Sequence, residues 1–130
     1  MDPVVHFELP SDDSGRMAKF YSGVFGWQMQ SMGPEMGDYV VATTTPLGED
    51  SRPSVPGAIN GGFFPRPAEG GPFHPSFVIA VDDIAESSKR IAEAGGTVHG
   101  EPAMIPGVGL FVAFTDTEGN RLSILQPVME

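Results

Sequence analysis

Cysteine is absent from the 130 residues, which excludes disulfides, thiolate nucleophiles and zinc sites built on sulfur. No apolar run approaches the roughly 20 residues that a membrane-spanning helix needs. Basic residues are scarce: seven Lys and Arg stand against 17 Asp and Glu, a formal net charge of −10. A surface of that sign repels phosphate backbones and anionic lipid, so neither a nucleic acid nor a membrane is an expected partner. It tolerates a neutral or cationic small molecule. The chain starts Met1-Asp2-Pro3 with no basic or apolar leader, and a cytoplasmic protein is expected. No Gly-x-Ser-x-Gly occurs, and neither Gly61-Gly62 nor Gly107-Val108-Gly109 opens a helix in the pattern of a phosphate loop. Serine nucleophiles and phosphate cradles therefore have no support.

What the chain does contain is a doubling. Asp12-Asp13 recurs seventy positions on as Asp82-Asp83, and Phe7, Leu9 and Gly26 recur as Phe77, Ile79 and Gly96. Each Asp-Asp pair closes an alternating apolar run, which reads as a strand, and opens an amphipathic helix. In the first copy a strand over 4–9 leads to a helix in which Asp13 or Ser14 can accept the free first-turn amides. Met17, Phe20, Tyr21, Val24 and Phe25 follow at i, i+3, i+4, i+7 and i+8, a face that points to a core. Gly26 ends that helix, and strands are expected over 27–32, 38–44 and 58–64. The second copy predicts a strand over 77–81 and a helix with Ile84, Ala85, Ser88, Ile91 and Ala92 inward, stopped at Gly95-Gly96. Strands over 97–101, 110–115 and 121–126 complete it, the last two joined by the hairpin loop 116–120.

Each copy is thus β-α-β-β-β, and the fold class is α+β: two tandem modules forming a cupped mixed sheet. A chain of this length fits one domain, residues 1–130, and buries roughly two-thirds of its unfolded surface. Module 1 covers about 3–64, a linker about 65–73 and module 2 about 74–127. Glycine and proline concentrate in 46–75, including Pro65-Arg66-Pro67 and Gly70-Gly71-Pro72, which reads as a long connection and then the linker. Since strand side chains alternate, two such modules enclose a cup lined by every second strand residue.

The run from His6 to Asp13, Phe20-Tyr21, Val24-Phe25-Gly26-Trp27 and the closing stretch from Asp116 to Leu122 together resemble the vicinal-oxygen-chelate superfamily. That group includes the glyoxalase I, bleomycin-resistance and extradiol-dioxygenase proteins. The resemblance implies paired modules, assembly as a homodimer, and a ligand or metal cup. It also implies four metal-ligand positions, two per module. His6 stands at the first, Ser76 at its counterpart in module 2, and Ser123 where the metal enzymes carry Glu. The fourth falls near Asn60 to Gly62, where no carboxylate occurs. One of four ligands is present, so no metal and no other cofactor is expected. A relocated set of His6, Glu8 and His74 would supply suitable nitrogen and oxygen donors, but Pro75 interrupts the strand after His74.

Three functions follow as expectations. The first is a metal-independent protein that sequesters or carries an aromatic or cationic small molecule, as drug-binding members of the superfamily do. Its ligand-binding residues would be His6, Glu8, Phe63, Ser76, Phe111 and Ser123, with Phe64, Trp27, Met29, Met32 and Met104 as further apolar wall. The second is a lyase, isomerase or dioxygenase with a non-standard metal site, in which His6 and Glu8 are the catalytic acid and base. The third is a regulatory module with a vestigial cup. His6 beside Glu8 also reads as a hydrogen-bonded structural pair, His99 as a surface residue, and Phe20 and Tyr21 as helix core.

Overall fold

The two copies fold with the same topology. The computed structural model describes residues 1–67 and 73–128 and divides into two compact units, His6–Pro75 and Met1–Val5 with Ser76–Glu130. The linker expectation over 65–73 and the turn at Gly70-Gly71-Pro72 fall largely outside the described residues. In the first unit β1 (Val4–Ser11) is followed by α1 (Ser14–Phe25), β2 (Gln28–Ser31), β3 (Val40–Thr43) and β4 (Asn60–Pro65). The strands lie in the order β2-β3-β4-β1, with β1 parallel to β4 and the other pairs antiparallel. The second unit has β5 (Ser76–Ala80), α2 (Ile84–Glu93), β6 (Thr97–Ile105), β7 (Gly109–Thr115) and β8 (Arg121–Pro127). Its order β6-β7-β8-β5 repeats the first, with β5 parallel to β8. The first residues of the chain belong to this second unit, where the Pro3 carbonyl accepts the Ala80 amide at 2.9 Å.

The repeated aspartates do the same work twice. Asp13 accepts the Arg16 amide at 3.0 Å at the head of α1, and Asp83 accepts the Glu86 amide at 3.1 Å at the head of α2. Each cap stabilises its helix by about 1 kcal/mol. Gly26 closes α1 at φ 75°, a left-handed conformation costly for a residue with Cβ, and its amide returns to Ser22 O at 3.0 Å.

In the first unit Phe63, Val40 and Ala42 form the buried core, packed by Phe7, Leu9, Met17, Tyr21, Trp27 and Met29. Tyr21 stacks on Trp27 at 4.5 Å between ring centroids. The helix contributes only Met17 and Tyr21 to this cluster. Phe20, Val24 and Phe25, expected in the core, are 55, 60 and 61 % exposed. The apolar stripe of α1 is wider than the contact it makes with its sheet, so its flank is left in the open. In the second unit Val81, Ile84, Val112, Phe114 and Ile124 are buried, with Ile79, Ile91, Val98, Leu110 and Leu122 against them. Ala85 and Ala92 of α2, also expected inward, are exposed. The strand expected to stop at Glu101 continues to Ile105, through a register shift between His99 and Ala103 with Gly100 at φ 85°.

Candidate functional site

Period-two alternation splits β1 between two environments. Phe7 and Leu9 enter the helix-side core, so His6 and Glu8 lie on the opposite face of the same half-sheet. The register places His6 beside Asn60 and Glu8 beside Gly62 on β4. Tyr39, just before β3, belongs to that face too, since Val40 and Ala42 turn to the helix. Its position is set by a tight turn. Pro34–Met36 forms a short 3-10 segment, Gly37 and Asp38 take φ of 67° and 57°, and Tyr39 O accepts the Met32 amide at 2.8 Å. Asp38 is one of the few residue types that tolerates the left-handed region.

From there the Tyr39 ring reaches across Gly62. A Cβ added at Gly62 would overlap the Tyr39 hydroxyl and the adjoining ring carbons, so only glycine leaves room for it. The hydroxyl lies 2.8 Å from His6 Nε2, and Glu8 is the register partner of the Gly62 that the ring covers. Three half-buried polar side chains, His6, Tyr39 and Glu8, therefore share a single face, the first two joined by a hydrogen bond.

The His6–Tyr39 hydrogen bond forms in either direction: the phenol donates when Nε2 carries a lone pair and accepts when Nε2 carries the proton. Among the described residues Nδ1 has no hydrogen-bond partner. Burial shifts each group toward its neutral form: His6 is lowered from 6.5, while Glu8 is raised from 4.5, the nearby Tyr39 hydroxyl offsetting part of that rise. Tyr39 is raised far beyond its ordinary value by burial and then by the adjacent Glu8 charge, so it remains a phenol.

The residues at the four metal-ligand positions do not fit a metal. His6 Nε2 is committed to Tyr39. Asn60 turns its Oδ1 to the Thr44 and Thr45 amides at 2.7 and 3.0 Å, where it ties the start of β4 to the end of β3. Ser76 and Ser123 offer neutral hydroxyls, weak donors beside imidazole and carboxylate. The relocated set of His6, Glu8 and His74 is not assembled: His74 is exposed ahead of β5, and no three His, Asp or Glu side chains converge among the described residues.

The remaining candidates divide by face. In the second unit Ser123 pairs with Val78 and Ala113, and Phe111 with Leu125, away from the α2-side core, and Ser76 lies two residues before Val78 on the same face. Phe63 requires correction. It is 1 % exposed and packs on Tyr21 at 5.7 Å between centroids, so alternation carries it to the helix side, away from His6 and Glu8. Trp27 and Met29 go the same way for the same reason. His99 is on the surface, 2.6 Å from Thr115 Oγ1. Two surface concavities, of about 380 Å³ by Asp13, Arg16 and Arg66 and about 530 Å³ by Ser88 and Pro102, border none of His6, Tyr39 and Glu8. Their linings carry no set of half-buried titratable groups, and the candidate site is placed at His6 on its chemistry. Tyr39 was missed in sequence. The available signal was its phase: with Val41 and Thr43 it alternates against Val40 and Ala42, opposite a Gly-Gly pair.

The fold agrees with the family assignment. The sequence profile of the Glyoxalase/Bleomycin resistance protein/Dioxygenase superfamily matches residues 4–124, and the chain belongs to that superfamily. CFP32 of Mycobacterium tuberculosis, provisionally named a glyoxylase, is 34 % identical over 121 residues, covering 92 % of this chain and 42 % of that protein. The chain thus spans less than half the length of that relative. A glyoxylase-like domain-containing protein of Didymella fabae is 32 % identical over 120 residues, covering 90 % of this chain and 88 % of the other. Among solved structures, BH1468 of Bacillus halodurans superposes with a TM-score of 0.70 at 14 % identity, covering 99 % of this chain and 96 % of that one. Methylmalonyl-CoA epimerase of Mycobacterium tuberculosis gives 0.67 at 11 %, covering 97 and 88 %. At such identities the likeness is one of fold alone. No described helix is long and apolar enough to cross a membrane.

Proposed function

We propose that this chain is a metal-independent small-molecule-binding member of its superfamily, sequestering or carrying an organic ligand at the face that bears His6, Tyr39 and Glu8. The observation that supports this reading is the state of the metal-ligand positions. In module 1 both donors are engaged, His6 by Tyr39 and Asn60 by backbone amides. In module 2 both positions are serine. A homodimer belongs to the proposal, as the superfamily resemblance implies. Elemental analysis of the purified protein tests the metal-independent part, and a stoichiometric transition metal overturns it. A thermal-shift panel of aromatic and cationic compounds tests binding, because a ligand selective for the folded state raises the melting point by mass action.

A second reading draws on the His6–Tyr39 hydrogen bond with Glu8 on the same face. These three residue types have the composition of a proton relay, and the named relatives and structural neighbours include a glyoxylase and an epimerase. An isomerase or lyase would use His6 as the base. Solvent-deuterium incorporation into a carbonyl substrate separates an enzyme from a binding protein.

A further inference from the structure

The repeat sets a length standard for the connection between the last two strands of each module. In module 2 the antiparallel strands β7 and β8 are joined by residues 116–120, five in all. In module 1 the equivalent strands β3 and β4 are joined by residues 44–59, sixteen in all, with the same antiparallel pairing. Five residues suffice to close this hairpin, so the fold does not require the others, and connections of such length are usually functional. We propose that residues 46–57 are a flap that closes over the His6-bearing face of module 1, with Leu47 and Val55 as its ligand-contacting residues; this rests on the metal-independent binding reading above.

The neck of this segment lies on the His6 side. Asn60 is the register partner of His6 and projects from the same side of the half-sheet. Its Oδ1 accepts the Thr44 and Thr45 amides at 2.7 and 3.0 Å, and Thr44 Oγ1 donates to Ile59 O at 2.8 Å. The connection therefore leaves β3 and rejoins β4 beside His6. Beyond the neck it is braced by itself: Gly48 N donates to Arg52 O at 2.7 Å, Ser54 N donates to Pro46 O at 2.9 Å, and Leu47 bridges Pro53. Among the described residues the hydrogen bonds of 46–57 all stay within the connection, so it can swing as a unit without breaking a sheet bond. Its large apolar side chains are in the open, Leu47 50 % and Val55 49 % exposed. Leu47 stands three residues beyond Thr44, a reach of about 10 Å, and β1 is the strand next to β4, about 4.8 Å away. Both His6 and Glu8 are within that reach. A sheet face alone is a floor; closure adds an apolar wall opposite its polar side chains, the combination that encloses a small molecule.

The chain lacks cysteine, so an introduced pair reports proximity without background. A disulfide needs its two Cα atoms within about 7 Å of each other. Leu47→Cys/Glu8→Cys and Val55→Cys/Glu8→Cys join the flap to the His6 face. Leu47→Cys/Lys19→Cys is the control, since Lys19 is on α1, across the half-sheet. Under mild oxidation of dilute protein, a face pair is expected to form its intramolecular disulfide at least about tenfold faster than the control; thermal melts establish that each variant is folded. Face pairs that link no faster than the control overturn the flap. For contact with the ligand, metal-stripped Leu47→Ser/Val55→Ser should melt close to the parent yet bind benzyltrimethylammonium, a probe both aromatic and cationic, at least about fivefold more weakly. Unchanged affinity overturns the contact. Face pairs that link in a protein that binds neither this probe nor any compound of the thermal-shift panel refute the underlying binding reading and leave the flap standing, whereas binding by the parent with the face pairs unlinked refutes the flap alone.

Discussion

Replacing Gly62 by alanine should break the His6–Tyr39 hydrogen bond without touching either partner. The added Cβ would occupy the position of the Tyr39 hydroxyl and neighbouring ring carbons. Gly62 is buried in a strand paired on both sides, so the backbone cannot move aside cheaply. The ring must leave instead. Its departure removes the hydrogen bond to His6, worth about 0.5–1.5 kcal/mol, and roughly 1 kcal/mol of ring burial. Alanine's advantage over glycine within a strand returns about 0.5–1 kcal/mol. The net expectation is a loss of about 0.5–2 kcal/mol, or a melting-point drop on the order of 4 °C per kcal/mol. Urea unfolding reads the energy, and the His6 ring-nitrogen resonances report whether Nε2 loses its partner. The decisive control is a cycle with Tyr39→Ala, which vacates the same space. Gly62→Ala made in that background should stabilise by about 0.5–1 kcal/mol, giving a coupling of about 1.5–2.5 kcal/mol. Additive losses, or a neutral Gly62→Ala with His6 signals unchanged, would refute the placement of Tyr39 over Gly62.

Asn60→Ala should cost about 1–3 kcal/mol by leaving the Thr44 and Thr45 amides without an acceptor, while Asn60→Asp, which keeps the oxygen, should remain close to the parent in urea unfolding. Phe63→Ala should lose about 3–5 kcal/mol as a buried-ring deletion, whereas Phe25→Ser on the open flank of α1 should lose under about 1 kcal/mol; sedimentation of Phe25→Ser also reads whether that flank joins two copies. The pH dependence of stability should carry two opposed slopes. His6 is lowered from 6.5, so the folded state binds fewer protons than the unfolded one and stability falls as pH drops from 6.5 through its folded value. Glu8 is raised from 4.5, so the folded state holds its proton longer and stability falls as pH rises from 4.5 through its folded value. His6→Gln should remove the first slope and Glu8→Gln the second; variants with unchanged profiles would show that neither group is perturbed.

The seventy-residue offset made the fold legible because it fixed equivalent strands, caps and helix ends without reference to packing. Asp13 and Asp83 act through backbone amides three residues away, a local rule that sequence carries in full. The same locality explains the failures. Whether Phe20 and Phe25 are buried depends on how wide a surface the sheet offers to α1, and nothing within the helix records that width. In sequence Phe63 reads as aromatic surface for the ligand. Its phase is set by its partner Val40 across the strand pair, a register invisible in either segment alone.

His6 and Glu8 were legible as a same-face pair, since one strand determines it. The link from His6 to Tyr39 was not, because it depends on a turn that carries a residue from before β3 over the middle of β4. The pieces were nonetheless present as separate exceptions: a glycine pair with no phosphate-loop role, an aspartate able to take a left-handed turn, and a tyrosine out of phase with the core. Each is neutral or unfavourable for an ordinary strand. They become mutually consistent only if Gly62 admits the ring, Asp38 makes the turn and Tyr39 delivers its hydroxyl to His6. Local rules that fail together around one contact indicate that the contact is what they serve. On that basis the module retains a specific polar site, in which a tyrosine engages the one imidazole left at the superfamily's metal-ligand positions.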